Sequence, residues 1–323
     1  MWFEVICGLI VYKIFRRFIY GEVDVPDVDA GGSEVSFIVA DRLEKIYGGK
    51  AYVGLRIPDP ETSSRQHIDV VLAAKKEILV VAVRNFSGFL EVGDGGNWVC
   101  TRDKKHKPEN YPDPVLEVTK QVEILESYLE LRGVSLPKGS LIGKVILPNP
   151  NCRPAYSIAF QNEVIPFAMW AELKSESKPG ISSWIKGAFH GSKSETQDVW
   201  HQKLHFSLST APMWDRLEFK GDRKILGEFI DFKGNSDDLQ ALRQVNRSEV
   251  SQFLVQKPSL FDLGRSRLNI LYYPRDYRRN AASVSELKEI AVKPSTEVLF
   301  QPLNSKKPRK FKLSSVASVS LSA

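Results

Sequence analysis

The sequence predicts an α/β fold with a mixed sheet flanked by helices, followed by a smaller β-rich domain. Residues 33–174 contain, in order, a helical pattern, at least three strand patterns, a second helical pattern and further strands. After residues 175–198, which are rich in Ser, Gly and Lys, short runs alternate apolar and polar residues. We therefore expect an α/β domain at 33–174, a flexible linker at 175–198 and a β-rich domain at 199–323.

The first helix of this fold is predicted at about residues 34–47. Ser33 is a favourable N-cap, Glu34 lies in the first turn where a carboxylate suits the helix dipole, and a Gly-Gly pair follows the helix. Residues 21–32 are polar and contain glycine, and we interpret them as a linker.

Residues 66–88 are predicted to form two strands joined by a Lys-Lys turn. Asp69 is the single acid of the first strand, whose residues alternate between two faces. Residues 78–83 are a continuous apolar run, which is typical of a central strand buried on both faces. This strand ends at Arg84, which shares a face with Ala82.

The second long helix is predicted to begin at Asp113, an N-cap followed by Pro114 at the first helical position, and to end at Gly133. Glu117 and Gln121 are four residues apart, so they lie on one face of this helix.

The other elements are predicted from shorter patterns. In the first domain we expect a strand at 51–57, a glycine-containing hairpin at 86–100, a strand at 141–147, and a short strand with a helical turn in 164–174. In the second domain we expect a helix at 237–243 and alternating strands at 225–233, 267–273, 288–292, 298–301 and 310–321.

Residues 2–20 are aromatic and aliphatic but carry four charged side chains. Their uncharged core is much shorter than the roughly 20 residues that span a bilayer, and no small-residue cleavage site follows it. Three interpretations stay open: an interfacial or signal-anchor helix, a helix docked on the protein itself, or a short membrane span. The basic residues on its C-terminal side favour a cytosol-facing protein body.

Charge and cysteine content narrow the possible partners and sites. The 45 Lys and Arg residues against 39 Asp and Glu residues give a net charge of +6, a mild bias towards anionic partners. The three cysteines are far apart and lack CxxC spacing, so a disulfide framework and a cysteine zinc site are both disfavoured. A reducing, intracellular compartment is consistent with this pattern.

One set of motifs resembles a known family. The motifs are Gly32-Ser-Glu34, His67-Ile-Asp69-Val-Val71, Val81-Ala-Val-Arg84-Asn85-Phe-Ser-Gly88, Trp98 and Gln121. Their order and spacing resemble the nuclease-related domain, NERD, over about residues 31–174, and the overall layout resembles a plant member. The family is similar to restriction-endonuclease-like enzymes, so the resemblance implies a restriction-endonuclease-like mixed sheet and Mg²⁺-dependent phosphodiester hydrolysis.

The resemblance also implies catalytic positions for Glu34, Asp69 and Gln121. The Glu-x-Lys pair of such enzymes is replaced here by Ala82 and Arg84. Ala82 cannot bind a metal ion, and Arg84 keeps its proton and cannot act as a general base. Hydrolysis is therefore predicted to be weak or absent.

Two interpretations of the remaining carboxylates stay open. Glu117, one turn before Gln121, is the candidate replacement ligand that would bind Mg²⁺ together with Asp69. In the other interpretation, Glu117 is a solvated helix residue and Asp69 satisfies a nearby backbone amide.

A basic tract lies near the end of the sequence. Lys306, Lys307, Arg309 and Lys310 surround a proline and precede Phe311. We expect these residues, with Arg84 as a phosphate clamp, to contact DNA or RNA. A nuclear-import signal and a solvated hairpin turn are the alternatives.

The leading hypothesis is therefore a nuclease-related protein with a degenerate catalytic motif that binds nucleic acid, with Mg²⁺ as the cofactor of an active form only. The alternative is a membrane-associated interaction scaffold, anchored by residues 2–20 to a membrane surface. Both imply an intracellular, cytosol-facing protein, with the nucleus as a second location.

Overall fold

The structure is a computed structural model of the 323-residue chain. It describes residues 31–75, 77–102, 107–137, 139–173, 196–243, 245, 250–256, 266–272, 287–293, 295–303 and 305–322. The predictions for residues 2–20, and those for most of the linkers at 21–32 and 175–198, lie outside the described residues.

The first domain is built on a five-stranded mixed sheet in the order β1-β2-β3-β7-β9. The strands are β1 (Lys50–Pro58), β2 (Arg65–Ala73), β3 (Ile78–Val83), β7 (Leu141–Ile146) and β9 (Val164–Ile165). Strands β1, β2 and β3 pair antiparallel, and β3, β7 and β9 pair parallel. The predicted α/β fold with a mixed sheet is confirmed.

Helices cover both faces of this sheet. Helix α1 (Gly31–Tyr47) buries Val39 and Leu43 on one face, and α2 (Pro114–Leu131) buries Val118 and Leu125 on the other. Every residue of β3 is buried, as its apolar sequence predicts. The two faces of the sheet therefore pack against different helices, and Val71 and Ala73 of β2 lie on the α2 side.

The predicted start is confirmed for α2 but was wrong for α1. Asp113 is the N-cap of α2, and its Oδ1 accepts a hydrogen bond from the Val115 amide at 2.8 Å, as predicted. Helix α1 begins at Gly31, so the prediction that Ser33 is its N-cap was wrong. Gly31 and Gly32 belong to the helix, and Ser33 is buried inside its first turn.

A second, four-stranded sheet in the order β6-β5-β4-β8 adjoins the end of β3. Its strands are β4 (Gly88–Val92), β5 (Trp98–Thr101), β6 (Glu109–Tyr111) and β8 (Cys152–Pro154), followed by α3 (Tyr156–Ala159) and α4 (Phe167–Glu172). Gly88 has φ of 116°, and a Cβ there would lie 2.4 Å from the Thr101 carbonyl oxygen. Only glycine fits this junction of β3 and β4.

The C-terminal region forms an eight-stranded antiparallel sheet in the order β14-β13-β12-β17-β10-β11-β15-β16. The elements are β10 (Asp215–Phe219), β11 (Lys224–Lys233), α6 (Ser236–Arg243), β12 (Val250–Gln256), β13 (Ser266–Tyr272), β14 (Leu287–Val292), β15 (Glu297–Pro302), β16 (Arg309–Lys312) and β17 (Val316–Ser320). The predicted β-rich region is confirmed. Strands β10 and β12 were not predicted, and the run at 310–321 is two strands interrupted by a 3₁₀ turn at Leu313–Ser315.

Helix α5 (Thr196–Ser209) packs with the first domain, because Leu204 and Leu208 belong to the core that α2 covers. The predicted domain start at residue 199 falls inside this helix. Among the described residues, no helix has both the length and the apolar character needed to cross a membrane.

The segment that follows α5 joins the two sheets. Met213 forms an antiparallel bridge with Leu55 of β1, and the Trp214 amide donates to the Gly54 carbonyl oxygen at 2.9 Å. The Arg56 guanidinium lies 3.8 Å from the centroid of the Trp214 ring. The C-terminal region therefore contacts the outer edge of β1 directly.

Candidate functional site

Asp69 lies near the end of β3, on the face of the sheet covered by α2. The last pair between β2 and β3 is Val70 with Val81, so Asp69 lies one residue beyond the ladder. Its Oδ2 accepts a hydrogen bond from the Val83 amide at 2.9 Å, and its side chain is only 14% exposed. Asp69 thus accepts from a backbone amide, as one of the two interpretations expects.

The guanidinium of Arg84 lies between two carboxylates. Its Nη1 donates to Asp69 Oδ2 at 2.8 Å and to the Val83 carbonyl oxygen at 3.0 Å, and its Nη2 donates to Glu117 Oε2 at 2.5 Å. These contacts form because Arg84 leaves the end of β3 towards α2, where Glu117 occupies the first turn. The Arg84 side chain is 22% exposed.

Gln121 fixes the position of Glu117. Its Nε2 donates to Glu117 Oε1 at 3.2 Å and to the His67 carbonyl oxygen at 2.9 Å, so the predicted common face of the two helix residues is confirmed. Gln121 is buried, and its Oε1 has no hydrogen-bond partner among the described residues.

His67 and Trp214 complete this arrangement, and no role was predicted for either. The indole Nε1 of Trp214 donates to His67 Nδ1 at 3.0 Å, and His67 Nε2 lies 3.0 Å from Asp69 Oδ1. Because the indole can only donate, Nδ1 of His67 must accept, and the Nε2 proton is then directed at Asp69. The alternation of His67 and Asp69 on one strand face was the available signal for His67, whereas nothing local indicates Trp214.

Both central groups keep their charges. Burial alone would raise the pKa of Asp69, but the hydrogen bond from His67, the positive charge of Arg84 and the Val83 amide together hold this pKa below its ordinary value. Burial alone would lower the pKa of Arg84, but the carboxylates of Asp69 and Glu117 outweigh it and raise this pKa. Asp69 and Arg84 are therefore ion-paired at neutral pH, and with Glu117, Gln121, His67 and Trp214 they form one hydrogen-bonded network.

The network brings together three of the predicted catalytic positions, Asp69, Arg84 and Gln121, with the predicted ligand Glu117. Glu34 is placed elsewhere: it lies on α1, which covers the opposite face of the sheet, and its Oε2 is 3.6 Å from Nε of Arg223. No contact between Glu34 and the network is found among the described residues.

Ala82 is fully buried in the core that α2 covers and pairs with Val145 of β7. Its methyl group packs in this core, at the position where the resemblance to NERD implies a carboxylate.

The donor set does not fit Mg²⁺, which prefers six oxygen ligands in octahedral geometry. Both oxygens of Asp69 and both oxygens of Glu117 already accept hydrogen bonds, and the Arg84 guanidinium lies between the two carboxylates. Within the described part of the chain, no group of three or more His, Cys, Asp or Glu side chains could hold a metal ion. Arg84 thus places a positive charge between the two carboxylates.

Residues 31–148 match the family model of the nuclease-related domain, NERD. This segment is similar to that family. The match covers less than half of the chain, from α1 through β7, and includes every residue of the network except Trp214. No curated protein matches, and no solved structure matches. The resemblance deduced from the sequence motifs is confirmed for this segment, and the likeness to a plant member stays a prediction.

The basic tract lies in the C-terminal sheet. Lys306 and Lys307 are exposed in the turn between β15 and β16, and Arg309 and Lys310 begin β16, the edge strand of the sheet. The Lys310 ammonium is 4.0 Å from Glu297 Oε2. The hairpin turn is therefore present, and its contact with nucleic acid stays a prediction.

Proposed function

We propose that this nuclease-related protein binds nucleic acid and hydrolyses phosphodiesters weakly or not at all. One observation carries the proposal: the Arg84 guanidinium is hydrogen-bonded to both carboxylates that could otherwise bind a metal ion.

The charges of Asp69, Glu117 and Arg84 support weak or absent phosphodiester hydrolysis. Two carboxylates and one guanidinium leave the network with a net charge of −1, and Mg²⁺ could bind Asp69 and Glu117 together only if Arg84 moved away. Hydrogen bonds to charged groups contribute roughly 1.5–3 kcal/mol each, so displacing Arg84 is costly. Arg84 also cannot take a proton from water, because its pKa is raised further by its partners.

Three features support binding of nucleic acid. Arg84 uses one Nη2 hydrogen and both Nη1 hydrogens in the described contacts, which leaves two N–H groups for a phosphate oxygen. Tyr156 and Phe160 are 82% and 76% exposed, and their rings stack with centroids 5.4 Å apart. Exposed aromatic rings of this kind are platforms for bases, and the exposed Lys306 and Lys307 add positive charge.

The decisive experiment is a divalent-metal cleavage assay on single- and double-stranded DNA and RNA. We expect little cleavage by the wild type and no further loss in Asp69→Ala. A double variant, Ala82→Glu with Arg84→Lys, restores the Glu-x-Lys pair and is expected to gain Mg²⁺-dependent cleavage. Efficient cleavage by the wild type that Asp69→Ala abolishes would contradict the proposal.

Two controls keep this assay interpretable. Ala82 is fully buried, so the double variant needs a thermal unfolding curve, and Arg84→Lys alone provides a milder comparison. Binding is measured separately by fluorescence anisotropy at low salt, where phosphate contacts are strongest. Absence of binding to all four nucleic acids at low salt would refute the binding half of the proposal.

A membrane-associated interaction scaffold is the second candidate, because the buried and fully paired Asp69 leaves little room for chemistry. In this candidate, residues 2–20 hold a cytosol-facing protein on a membrane surface. The test is flotation of the full chain with anionic vesicles against a chain that lacks residues 1–30. Equal flotation of the two chains would refute it.

A further inference from the structure

A cavity of about 230 Å³ lies between α1 and the C-terminal sheet. It is on the α1 side of the first sheet, whereas the Asp69 network is on the α2 side. Its lining therefore includes residues of both domains, and the side chains that decide its chemistry are Phe37, Asp41, Glu44, Arg216, Lys224 and Leu226.

The two walls of this cavity carry opposite charges. Asp41 and Glu44 belong to α1, and Arg216 and Lys224 belong to β10 and β11 of the C-terminal sheet. Leu226 and the other apolar lining residues provide the uncharged part of the surface. Such a distribution is complementary to a ligand that carries one positive and one negative group.

Arg216 is the least satisfied charge in the cavity. Its Nε is buried and has no hydrogen-bond partner among the described residues. Its guanidinium carbon is 6.0 Å from the Phe37 ring centroid. A buried cationic donor without an acceptor is costly, so a ligand carboxylate near Arg216 would be stabilising.

The other three charges differ in how far they are already paired. The Lys224 ammonium is 5.5 Å from the Phe37 ring centroid and 3.7 Å from Glu218 Oε1. One oxygen of Glu44 accepts a hydrogen bond from the Ala51 amide at 2.6 Å. Asp41, in contrast, is exposed on α1 at the edge of the cavity, so its carboxylate is accessible to an ammonium group.

We propose that the cavity binds a small zwitterion, a molecule with a carboxylate and an ammonium group on an apolar body, such as an α-amino acid. The carboxylate pairs with Arg216 and the ammonium group with Asp41, while the apolar body contacts Phe37 and Leu226.

The alternatives fit the charges less well. A simple anion meets Asp41 and Glu44 on the α1 wall, and a simple cation meets Arg216 and Lys224 on the sheet wall. The volume is below the roughly 300–1,000 Å³ of sites for drug-sized ligands, which favours a small molecule. Water molecules bridging the two walls of an otherwise structural interface are the remaining possibility.

The test is a calorimetric titration of the full chain with three probes of one shape, each taken into the millimolar range. L-phenylalanine carries both charges, 3-phenylpropionate lacks the ammonium group, and phenethylamine lacks the carboxylate. We expect saturable binding of L-phenylalanine and binding at least about tenfold weaker for each single-charge probe, because one charged contact is lost.

Two variants locate the binding. Arg216→Gln is expected to weaken L-phenylalanine binding about tenfold or more. The matched control is Arg267→Gln, on β13 of the same sheet, where Arg267 pairs with Glu289 at 3.2 Å; it should leave binding unchanged. Thermal unfolding verifies that both variants are folded.

Three outcomes would overturn the proposal. The first is no saturable binding of L-phenylalanine, which would leave a water-bridged interface only. The second is a single-charge probe that binds as tightly as the zwitterion. The third is an unchanged affinity in folded Arg216→Gln. None of these outcomes bears on nucleic-acid binding or hydrolysis, which are measured with different ligands.

Discussion

Replacing Arg84 with methionine removes the positive charge between Asp69 and Glu117 but keeps a side chain of similar length. The variant loses the hydrogen bonds to both carboxylates and to the Val83 carbonyl oxygen. The rise in the Asp69 pKa that burial causes is then opposed only by His67 and the Val83 amide. We expect the folded protein to be less stable and the pKa of Asp69 to rise.

The expected loss in the free energy of unfolding follows from the burial of the three charged side chains. Removing one member of a buried ion pair costs about 3–5 kcal/mol. The side chains of Arg84, Asp69 and Glu117 are 22%, 14% and 32% exposed, so solvent screens part of the effect. After this discount we expect a loss of ~2–3 kcal/mol in the free energy of unfolding.

Chemical denaturation of the first domain, followed by tryptophan fluorescence, measures this loss. The matched control is Arg102→Met, which removes a surface pair whose Arg102 Nη2 and Glu109 Oε2 are 3.3 Å apart and whose side chains are about half exposed. Such surface pairs contribute about 0–1 kcal/mol. If Arg84→Met costs no more than Arg102→Met, the claim that Arg84 is held by a buried network is refuted.

Three further predictions concern the network and the proposed binding surface. Because the pKa of Asp69 is lowered in the folded protein, its stabilising contribution is complete above the unfolded pKa of about 3.9 and is lost as pH falls through the lower folded pKa. Acid unfolding of Asp69→Asn should therefore depend less on pH below about 4 than acid unfolding of the wild type. Identical pH profiles of the two proteins would contradict the prediction. Trp214→Phe removes the donor to His67 Nδ1 and should lower the free energy of unfolding by about 1 kcal/mol. It should also shift the resonances of the His67 ring in NMR spectra, and unchanged resonances would show that this hydrogen bond is absent. The double variant Tyr156→Ala with Phe160→Ala should weaken binding of single-stranded oligonucleotides by roughly 1–3 kcal/mol per stacked base, measured by fluorescence anisotropy. The control is Leu131→Ala, which changes another highly exposed side chain and should have no effect. Equal affinities of the double variant and the control would exclude base stacking at this pair.

Local patterns predicted the elements that surround the network. The hairpin of β2 and β3, the Asp113 N-cap and the common face of Glu117 and Gln121 all follow from residues close together in sequence, where side-chain period and capping chemistry decide the structure. The absence of a metal ligand at Ala82 was also visible, because it requires only the identity of one residue.

Long-range contacts were not predictable in this way. The hydrogen bond from Trp214 to His67 joins residues 147 positions apart, and the ion pair of Arg84 with Glu117 joins residues 33 positions apart. Glu34 lies near Arg223, in the turn between β10 and β11, which no pattern within α1 could indicate. Packing of the two sheets decides these partners, and packing depends on the whole chain.

Metal binding tests most directly whether the Arg84 guanidinium fills the cation position. Mn²⁺, a paramagnetic substitute for Mg²⁺, is titrated into the wild type, Asp69→Asn and Arg84→Met and followed by electron paramagnetic resonance. We predict no site in the wild type that depends on Asp69, and a new site in Arg84→Met, where two carboxylates face each other without a cation. One equivalent of Mn²⁺ bound by the wild type and lost in Asp69→Asn would contradict this account.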